Sequence, residues 1–221
     1  MKNAIITGAT GMIGGLILDQ CLESPDIGKV TAIVRKSTGI SHEKLTEVIH
    51  MDFNDFSSIA PCFENQDIAW YCLGVYTGAV DRDTFRKITT DYTRAFAQTL
   101  KSQSPHSAFC FLSGMGADRS EKSRMMFARD KGAAENYLEE KGFEQLTIFR
   151  PGYIYPVTPR REPNLSYRIM RFLYPLYKRV HANGVIASID LARAMFRAGL
   201  YGETKRVLEN RDIRERAELG G

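Results

Sequence analysis

Three glycines near the N-terminus have the spacing of a loop that binds phosphate. Gly8, Gly11 and Gly14 follow the apolar run Ala4–Ile6 and precede apolar residues that recur at helical spacing. Glycines permit a tight turn after a strand, close approach of backbone to a pyrophosphate, and close packing of the next helix. The start of that helix offers free N–H groups and the positive end of a dipole. The pattern therefore predicts a dinucleotide site, the alternative being a turn that only shapes the backbone. The expected binding residues are Gly8, Thr10, Gly11, Met12 and Ile13.

Two cations follow the second predicted strand, where dinucleotide-binding folds recognise the adenosine ribose. Arg35 and Lys36 come directly after Val30–Val34, with no acidic residue beside them. An acidic side chain here would hold the ribose hydroxyls of NAD, whereas basic side chains can bind the 2′-phosphate of NADP. We therefore expect NADP(H) rather than NAD(H), the alternative being a solvated surface loop. Asp52 and Phe53, after the third predicted strand, are candidates to contact the adenine, or are a turn residue and a core residue.

Further candidates stand where later predicted strands end. Gly74 would let the backbone approach a cofactor ribose, although it could simply terminate the strand. Ser113 could donate a hydrogen bond to a substrate carbonyl, or could be a cap or turn serine. Phe127 and Lys131 are four residues apart and share one helix face. Lys131 could reach the cofactor ribose from there, the alternative being a solvated surface lysine.

The elements that must position these residues follow an alternating pattern. Apolar runs alternate with amphipathic, helix-period segments from the N-terminus to about residue 155. Strands that are apolar throughout predict a parallel sheet covered on both faces. With right-handed crossovers, this is an α/β, doubly wound Rossmann-type fold. The predicted strands are Ala4–Ile6, Val30–Val34, Glu47–Met51, Asp67–Cys72, Ala108–Leu112 and Leu146–Phe149.

The pattern changes in the last third of the chain. Helical periodicity over Leu165–Leu176 follows a proline-rich loop, and Ser188 is expected to cap a last helix. The charged tail from Asn210 is expected to fray. We predict that residues 153–185 form most of a small helical substrate cap on the carboxyl edge of the sheet. Residues 1–221 are then one NAD(P)-binding domain.

Composition excludes several classes of protein. Hydrophobic residues make up 43% of the 221-residue chain and charged residues 25%, which is typical of globular proteins. A net charge of +4 gives no reason to expect nucleic acid as a partner. No apolar run approaches the length of a membrane span or a secretory signal. The 4 cysteines show no C-x-x-C spacing, which argues against metal and disulfide frameworks and favours the cytoplasm.

Several segments together resemble the short-chain dehydrogenase/reductase superfamily, in its atypical and extended branches. They are similar to the Tat-interacting tumour-suppressor oxidoreductase family and to bacterial NAD-dependent epimerase/dehydratase-like proteins, over nearly the whole chain. The resemblance implies NADP(H) at the strand carboxyl ends, with Leu73, Gly74, Pro151 and Tyr153 among the cofactor contacts. The segments that carry it are Thr7–Gly14, Cys72–Gly74, Leu112–Asp118, Phe149–Gly152 and Ser188–Ala192.

The same resemblance implies a catalytic set of serine, tyrosine and lysine. Ser113 and Lys131 match two of its positions, but Phe127 stands where the tyrosine of the Y-x-x-x-K motif is expected. Phenylalanine has no hydroxyl, and general acid–base catalysis typically contributes about 10²- to 10⁴-fold in rate. Tyr153 or Tyr155 could supply a hydroxyl from the opposite side of the nicotinamide, or could pack in the cap.

Two functions from different classes follow. The first is an NADP(H)-dependent oxidoreductase, or an epimerase-like enzyme, that acts on an unidentified small carbonyl or alcohol. The second is a non-catalytic dinucleotide-binding protein, in which the cofactor acts as a redox signal or stabilises a surface for a protein partner. The resemblance also implies a homodimer that pairs through the helices of residues 84–102 and 124–140. Fold alone does not choose between these functions.

Overall fold

A computed structural model describes residues 1–76, 78–157 and 184–218. A seven-stranded sheet runs through this part of the chain, and all of its neighbouring strands pair in parallel. Its strands are β1 (Lys2–Thr7), β2 (Ile27–Val34), β3 (Leu45–Ile49), β4 (Ile68–Tyr71), β5 (Ala108–Leu112), β6 (Leu146–Arg150) and β9 (Val207–Glu209). A separate parallel pair consists of β7 (Tyr153–Tyr155) and β8 (Val185–Ala187).

Six α-helices lie in the described ranges. They are α1 (Met12–Glu23), α2 (Arg82–Arg86), α3 (Tyr92–Gln103), α4 (Met126–Glu140), α5 (Ser188–Tyr201) and α6 (Asn210–Glu218). A 3₁₀ segment spans Ser57–Phe63, and a π-helical turn at Lys87–Asp91 joins α2 to α3. Helices α1, α5 and α6 share a buried cluster on one face of the sheet, whereas α3 and α4 share a cluster on the other. Both faces are covered, which is why the buried positions of the central strands are mainly apolar, and the predicted Rossmann-type fold is confirmed.

The order of the strands locates the crevice where such a sheet binds ligands. The order is β3-β2-β1-β4-β5-β6-β9, so the chain moves outward from β1 in one direction and then returns to β4 on its other side. The connection that leaves β1 therefore runs to one side of the sheet, and the connection that leaves β4 runs to the other side. Open α/β sheets bind ligands at such a switch point. The glycine-rich segment begins at this place.

Close packing against α5 holds the central strand β4. The indole of Trp70 is fully buried, stacks on Phe196 at a centroid distance of 5.6 Å, and donates its Nε1–H to the carbonyl of Met195 at 2.8 Å. Gly199 lets the helix approach, because a Cβ there would lie 2.6 Å from the indole ring. On the opposite face the core is rich in aromatic side chains, with Phe96 among its buried rings. Burial of such rings contributes much of the stabilisation of the sheet.

Several local expectations were wrong. The third strand runs over Leu45–Ile49 rather than Glu47–Met51, and Met51 is 68% exposed. Ser188 is not the N-cap of its helix, because Ala187 takes that position and the Ser188 hydroxyl instead accepts the N–H of Val157 at 3.2 Å. Residues Asn210–Glu218 are not frayed, because they form α6.

Packing explains the order of this C-terminal segment. Asn210, Ile213 and Ala217 of α6 are 1%, 0% and 4% exposed, so its apolar positions are buried although most of its residues are charged. Strand β9, directly before α6, pairs with β6 at the edge of the sheet. The predicted helix Leu165–Leu176 lies outside the described residues. Of the predicted cap, the structure describes only residues 153–157 and 184–185, which form β7 and the start of the β8 pairing.

Candidate functional site

The glycine-rich loop between β1 and α1 is packed too closely for side chains. Gly8 has φ +73°, in the left-handed region that favours glycine, and a Cβ there would lie 2.6 Å from the carbonyl oxygen of Cys72. The N–H of Gly11 donates to the carbonyl of Gly8 at 2.8 Å, which closes the turn. A Cβ on Gly14 would collide with the same Gly8 carbonyl. The loop therefore holds its shape through backbone contacts and leaves its outer side free of side-chain bulk.

The N-terminus of α1 is open to a phosphate. Its N-cap is Gly11, so no side chain caps the helix, and the first turn contains no acidic residue. Thr10 and Gly11 are exposed and Met12 is half-buried, whereas the Ile13 side chain is 4% exposed in the core. Ile13 can therefore offer its N–H to a ligand but not its side chain. Uncapped N–H groups together with a helix dipole form an anion site.

The residues expected near the adenosine end lie at the ends of β2 and β3. Arg35 and Lys36 are exposed directly after β2. Asp52 is exposed, and hydrogen bonds from the backbone and side chain of Asn54 hold the pKa of its carboxyl below the usual value. Phe53 is 2% exposed and packs in the aromatic core, 5.7 Å from the ring of Tyr92. The Phe53 side chain therefore has the core position that was one of its two expected roles.

Helix α4 brings two candidate residues to the end of β5. The Nζ of Lys131 donates to the carbonyl of Leu112 at 2.9 Å and lies 5.0 Å from the centre of the Phe111 ring. Lys131 is 8% exposed, so it is not the solvated surface lysine of the alternative. Burial lowers the pKa of its amine to about 8, against the attraction of a nearby carboxylate. The para carbon of Phe127, from which a tyrosine hydroxyl would extend, lies against Gly114.

Ser113 belongs to a buried ionic network that the sequence analysis did not find. Its hydroxyl donates to Oε1 of Glu135 at 2.5 Å, and Glu135 is fully buried. Arg119 donates to Oε2 of the same carboxylate at 2.9 Å, and Arg150 donates to both oxygens, with its Nε 3.0 Å from Oε1. The spacing offered one signal, because Glu135 is four residues after Lys131 and shares its helix face. Which groups meet that face depends on tertiary packing.

The network determines which way the serine hydroxyl points. Burial raises the pKa of Glu135, but hydrogen bonds from Arg150, Ser113 and Arg119 outweigh it and hold that pKa below the usual value. An ionised carboxylate only accepts hydrogen bonds, so the Ser113 proton is directed to it. The serine oxygen then presents lone pairs to any other group. Since Phe127 has no hydroxyl, neither of these two positions donates an O–H to a substrate carbonyl in this arrangement.

The remaining candidates border the same edge of the sheet. Leu73 is half-buried and Gly74 is exposed after β4. Pro151 is buried, and its carbonyl accepts the N–H of Met115 at 2.8 Å, which joins the loop after β5 to the chain after β6. Tyr153 is half-buried in β7. The ends of β1, β4, β5 and β6 thus lie side by side at the carboxyl edge of the sheet.

The cysteines and histidines contribute no further site in the described residues. The 4 cysteines are all free thiols, and burial raises the pKa of three of them: Cys21, Cys72 and Cys110. Within the described ranges, no group of three or more His, Cys, Asp or Glu side chains could hold a metal ion. None of the helices described is long and apolar enough to cross a membrane.

A glycine-rich turn at the switch point of a doubly wound parallel sheet defines a dinucleotide-binding protein of the Rossmann class. Comparison with known families agrees with this class. The family model described as NAD(P)H-binding matches residues 8–198, and the chain belongs to this family.

Similar proteins include one from rat and one from a filamentous fungus. Protein HTATIP2 of Rattus norvegicus is 32% identical over 155 residues, which cover 69% of this chain and 63% of the relative. The chain thus matches slightly less than two thirds of the length of the rat protein. The mitochondrial protein fmp52 of Aspergillus clavatus is 28% identical over 210 residues, covering 90% of this chain and 88% of the relative.

Solved structures share the fold at lower identity. The Bordetella bronchiseptica enzyme WbmH, in complex with NAD+, has a TM-score of 0.70 and 20% identity over 95% of this chain and 75% of its own. A UDP-N-acetylglucosamine 4-epimerase from Methanobrevibacter ruminantium has a TM-score of 0.69 and 19% identity over 93% of this chain and 74% of its own. At these identities the likeness shows the fold alone.

Proposed function

We propose that this protein binds NADP(H) in the crevice at the carboxyl edge of the sheet and acts as an oxidoreductase or epimerase-like enzyme. The observation that carries the proposal is the uncapped N-terminus of α1, which follows a loop that requires glycine at positions 8 and 14. Such a site fits a pyrophosphate, because no side chain caps the first N–H groups of α1 and the helix dipole favours an anion there. The substrate class is a small carbonyl compound or alcohol.

Each part of the cofactor has its own set of proposed contacts. Backbone groups of the glycine loop hold the pyrophosphate, and Arg35 and Lys36 bind the 2′-phosphate. Asp52 and the backbone of Phe53 are the proposed contacts of the adenine, since the Phe53 side chain is in the core. Bound nicotinamide would supply or accept a hydride. The proposed contacts along the loop and the crevice are Gly8, Thr10, Gly11, Met12, Ile13, Leu73, Gly74, Lys131, Pro151 and Tyr153.

Lys131 is the proposed hydrogen-bond donor at the reacting end of the site. An ammonium has three N–H donors, and the carbonyl of Leu112 accepts one of them. With a pKa of about 8, the amine carries its charge over most of the neutral range and can also release a proton. Ser113 is proposed to accept a hydrogen bond from a substrate hydroxyl, since its own proton goes to Glu135. This arrangement suits an alcohol substrate.

The test of cofactor binding is a titration of the purified protein with NADPH and NADH, followed by nicotinamide fluorescence. We expect NADPH to bind more tightly, because Arg35 and Lys36 add charge-assisted contacts to its extra phosphate. Gly11→Arg should abolish binding of both, since its side chain would cover the pyrophosphate position. Ser102→Arg, which adds the same side chain at an exposed position near the end of α3, should bind like the unchanged protein. Binding of neither nucleotide by the unchanged protein would refute the proposal.

A second function is favoured by one observation: neither Phe127 nor Ser113 donates a hydroxyl proton toward the crevice. A dinucleotide-binding redox sensor, or a module that binds a protein partner, needs no such donor. Lys131→Ala separates the two functions, because it should remove NADPH-dependent turnover in an enzyme but only weaken NADPH affinity in a sensor. Turnover is measured as NADPH consumption with small aldehydes and ketones, and as NADPH formation from NADP+ with the corresponding alcohols. An increase in turnover for Phe127→Tyr, at unchanged NADPH affinity, would support the enzyme.

Partners and location complete the proposal. We propose that two copies pair through α3 and α4, and that the protein acts in the cytoplasm. Light scattering at several protein concentrations tests the pairing, and fractionation of the source cells tests the location. A mass that equals one chain at every concentration would refute the pairing. Recovery with mitochondria, the location in the name of the fmp52 relatives, would refute the cytoplasmic assignment.

A further inference from the structure

A carboxylate on the edge strand holds the loop that carries the two cations. Glu47 lies on β3, and its Oε2 accepts the hydroxyl of Ser37 at 2.6 Å. Its Oε1 accepts both the N–H of Thr38 at 2.8 Å and the hydroxyl of Thr38 at 2.5 Å. Both oxygens of the carboxylate are therefore bonded to residues that directly follow Arg35 and Lys36.

The loop is thus attached to the sheet on both sides of the cations. On one side, the N–H of His50 donates to the carbonyl of Val34 at 2.9 Å, which pairs the last residue of β2 with the chain after β3. On the other side, Ser37 and Thr38 are bonded to Glu47, which pairs with Ala32 in the β2–β3 register. Two anchored ends leave the two cationic residues little backbone freedom.

The hydroxyls of the loop are not available to a phosphate. Each donates its single proton to Glu47, and each oxygen accepts a loop N–H, from Gly39 to Ser37 at 3.0 Å and from Ile40 to Thr38 at 3.2 Å. The hydrogen bonds from Ser37 and Thr38 lower the pKa of Glu47, so its carboxylate stays ionised and only accepts. Recognition of a phosphate at this loop then depends on Arg35 and Lys36.

We propose that Glu47 is a positioning residue for cofactor selectivity: by holding Ser37 and Thr38, it presents Arg35 and Lys36 to the 2′-phosphate of NADP(H). The inference rests on the proposed function. A fixed loop lowers the entropy that is lost when long cationic side chains become ordered on a ligand. A carboxylate near a phosphate also repels it, but exposed charges are screened over about 8 Å at physiological salt. The inference requires the ordering effect to exceed the repulsion that remains.

The experiment compares Glu47→Ala and Glu47→Gln with the unchanged protein in titrations with NADPH, NADH and 2′,5′-ADP. Glu47→Ala should lower the affinity for NADPH and 2′,5′-ADP about tenfold and change the affinity for NADH by no more than about twofold. A tenfold loss corresponds to the cost of ordering one or two long side chains. Glu47→Gln keeps an acceptor oxygen, so its affinity for NADPH should lie between the affinities of Glu47→Ala and the unchanged protein. Glu43→Ala removes an exposed carboxylate shortly before β3 and should change no affinity. Circular dichroism checks that each variant is folded.

A double variant tests the same contacts from the loop side. Ser37→Ala with Thr38→Val removes the two hydroxyl donors but keeps the charge of Glu47. This variant should also lower the affinity for NADPH and leave the affinity for NADH unchanged. If this variant binds both nucleotides like the unchanged protein, the hydrogen bonds do not position the cations, and the inference is wrong.

The remaining outcomes separate this inference from the proposed function. Equal binding of NADPH and NADH by the unchanged protein would overturn the proposed cofactor preference, and the inference with it. A preference for NADPH that survives in Glu47→Ala would overturn the inference alone. Tighter NADPH binding by both Glu47 variants would overturn it too, because repulsion would then dominate. Equal loss of NADPH and NADH would show a general structural role instead.

Discussion

Removal of the Glu135 carboxylate should destabilise the protein far more than removal of its neighbour on the same helix. Glu135 is fully buried and accepts hydrogen bonds from Ser113, Arg119 and Arg150. Without it, two guanidinium groups and a hydroxyl face a site with no acceptor. Breaking a buried ion pair by removing one partner costs about 3–5 kcal/mol.

The partners of Glu135 should keep the cost of Glu135→Ala near the lower end of that range. The side chains of Arg119 and Arg150 are 34% and 16% exposed, so water can reach part of each guanidinium. Both also keep a second carboxylate partner at 3.2 Å, Glu139 for Arg119 and Glu209 for Arg150. We therefore expect a loss of about 3 kcal/mol in the free energy of unfolding. For a chain of this size, that corresponds to a decrease of about 6–12 °C in Tm.

Glu139→Ala is the matched control, because Glu139 lies one turn further along α4. Its side chain is 29% exposed, and its two ion pairs, with Arg119 and Arg206, are both 3.2 Å long. Pairs near the surface contribute about 1 kcal/mol or less. Urea denaturation of the cofactor-free variants measures both losses. If Glu135→Ala lost no more stability than Glu139→Ala, the buried network would not hold these elements together.

The same network predicts a dependence on pH. Burial raises the pKa of Glu135. Hydrogen bonds from Arg150, Ser113 and Arg119 outweigh burial and hold this pKa below its ordinary value of 4.5. A carboxyl with a lowered pKa in the folded state stabilises it above the unfolded value, and this contribution is lost as the pH falls through the folded value. The difference in unfolding free energy between the unchanged protein and Glu135→Gln should thus be constant above about pH 5 and decrease below about pH 4.5. A difference that is constant down to about pH 3 would contradict this.

Three further substitutions test packing and burial. Lys131→Met should stabilise the cofactor-free protein at pH 7 by up to about 3 kcal/mol, because burial lowers the pKa of the amine to about 8. That gain should disappear as the pH rises from 8 through 10.5, where the unfolded lysine also loses its proton. Unfolding of both proteins at pH 7 and at about pH 10.5 checks this. Gly132→Ala should lower stability by about 1–3 kcal/mol, seen as a lower Tm, since its Cβ would collide with the carbonyl of Asp118. Gly199→Ala should shift the fluorescence of Trp70, because the added methyl lies 2.6 Å from the indole; an unchanged spectrum would contradict the close contact.

Local patterns were sufficient for most of the sheet but not for its edges. The buried positions of the central strands are mainly apolar because both faces of the sheet are covered, so their sequence is distinctive. Strand β3 lies at an edge and carries the polar Glu47, and its register depends on β2 rather than on its own pattern. Strand β9 has only 3 residues and exists because it pairs with β6. Helix α6 is highly charged, and its order depends on where Ile213 and Ala217 are buried.

The sequence by itself determined the glycine loop and the alternation of strands and helices. Both are local properties, set by residues within one or two turns of one another. Only the tertiary structure showed that Ser113 donates to Glu135, 22 positions away, and that Lys131 is buried against the end of β5. The partner of a hydroxyl or an amine depends on which elements meet in three dimensions, and the spacing of residues along the chain does not specify that.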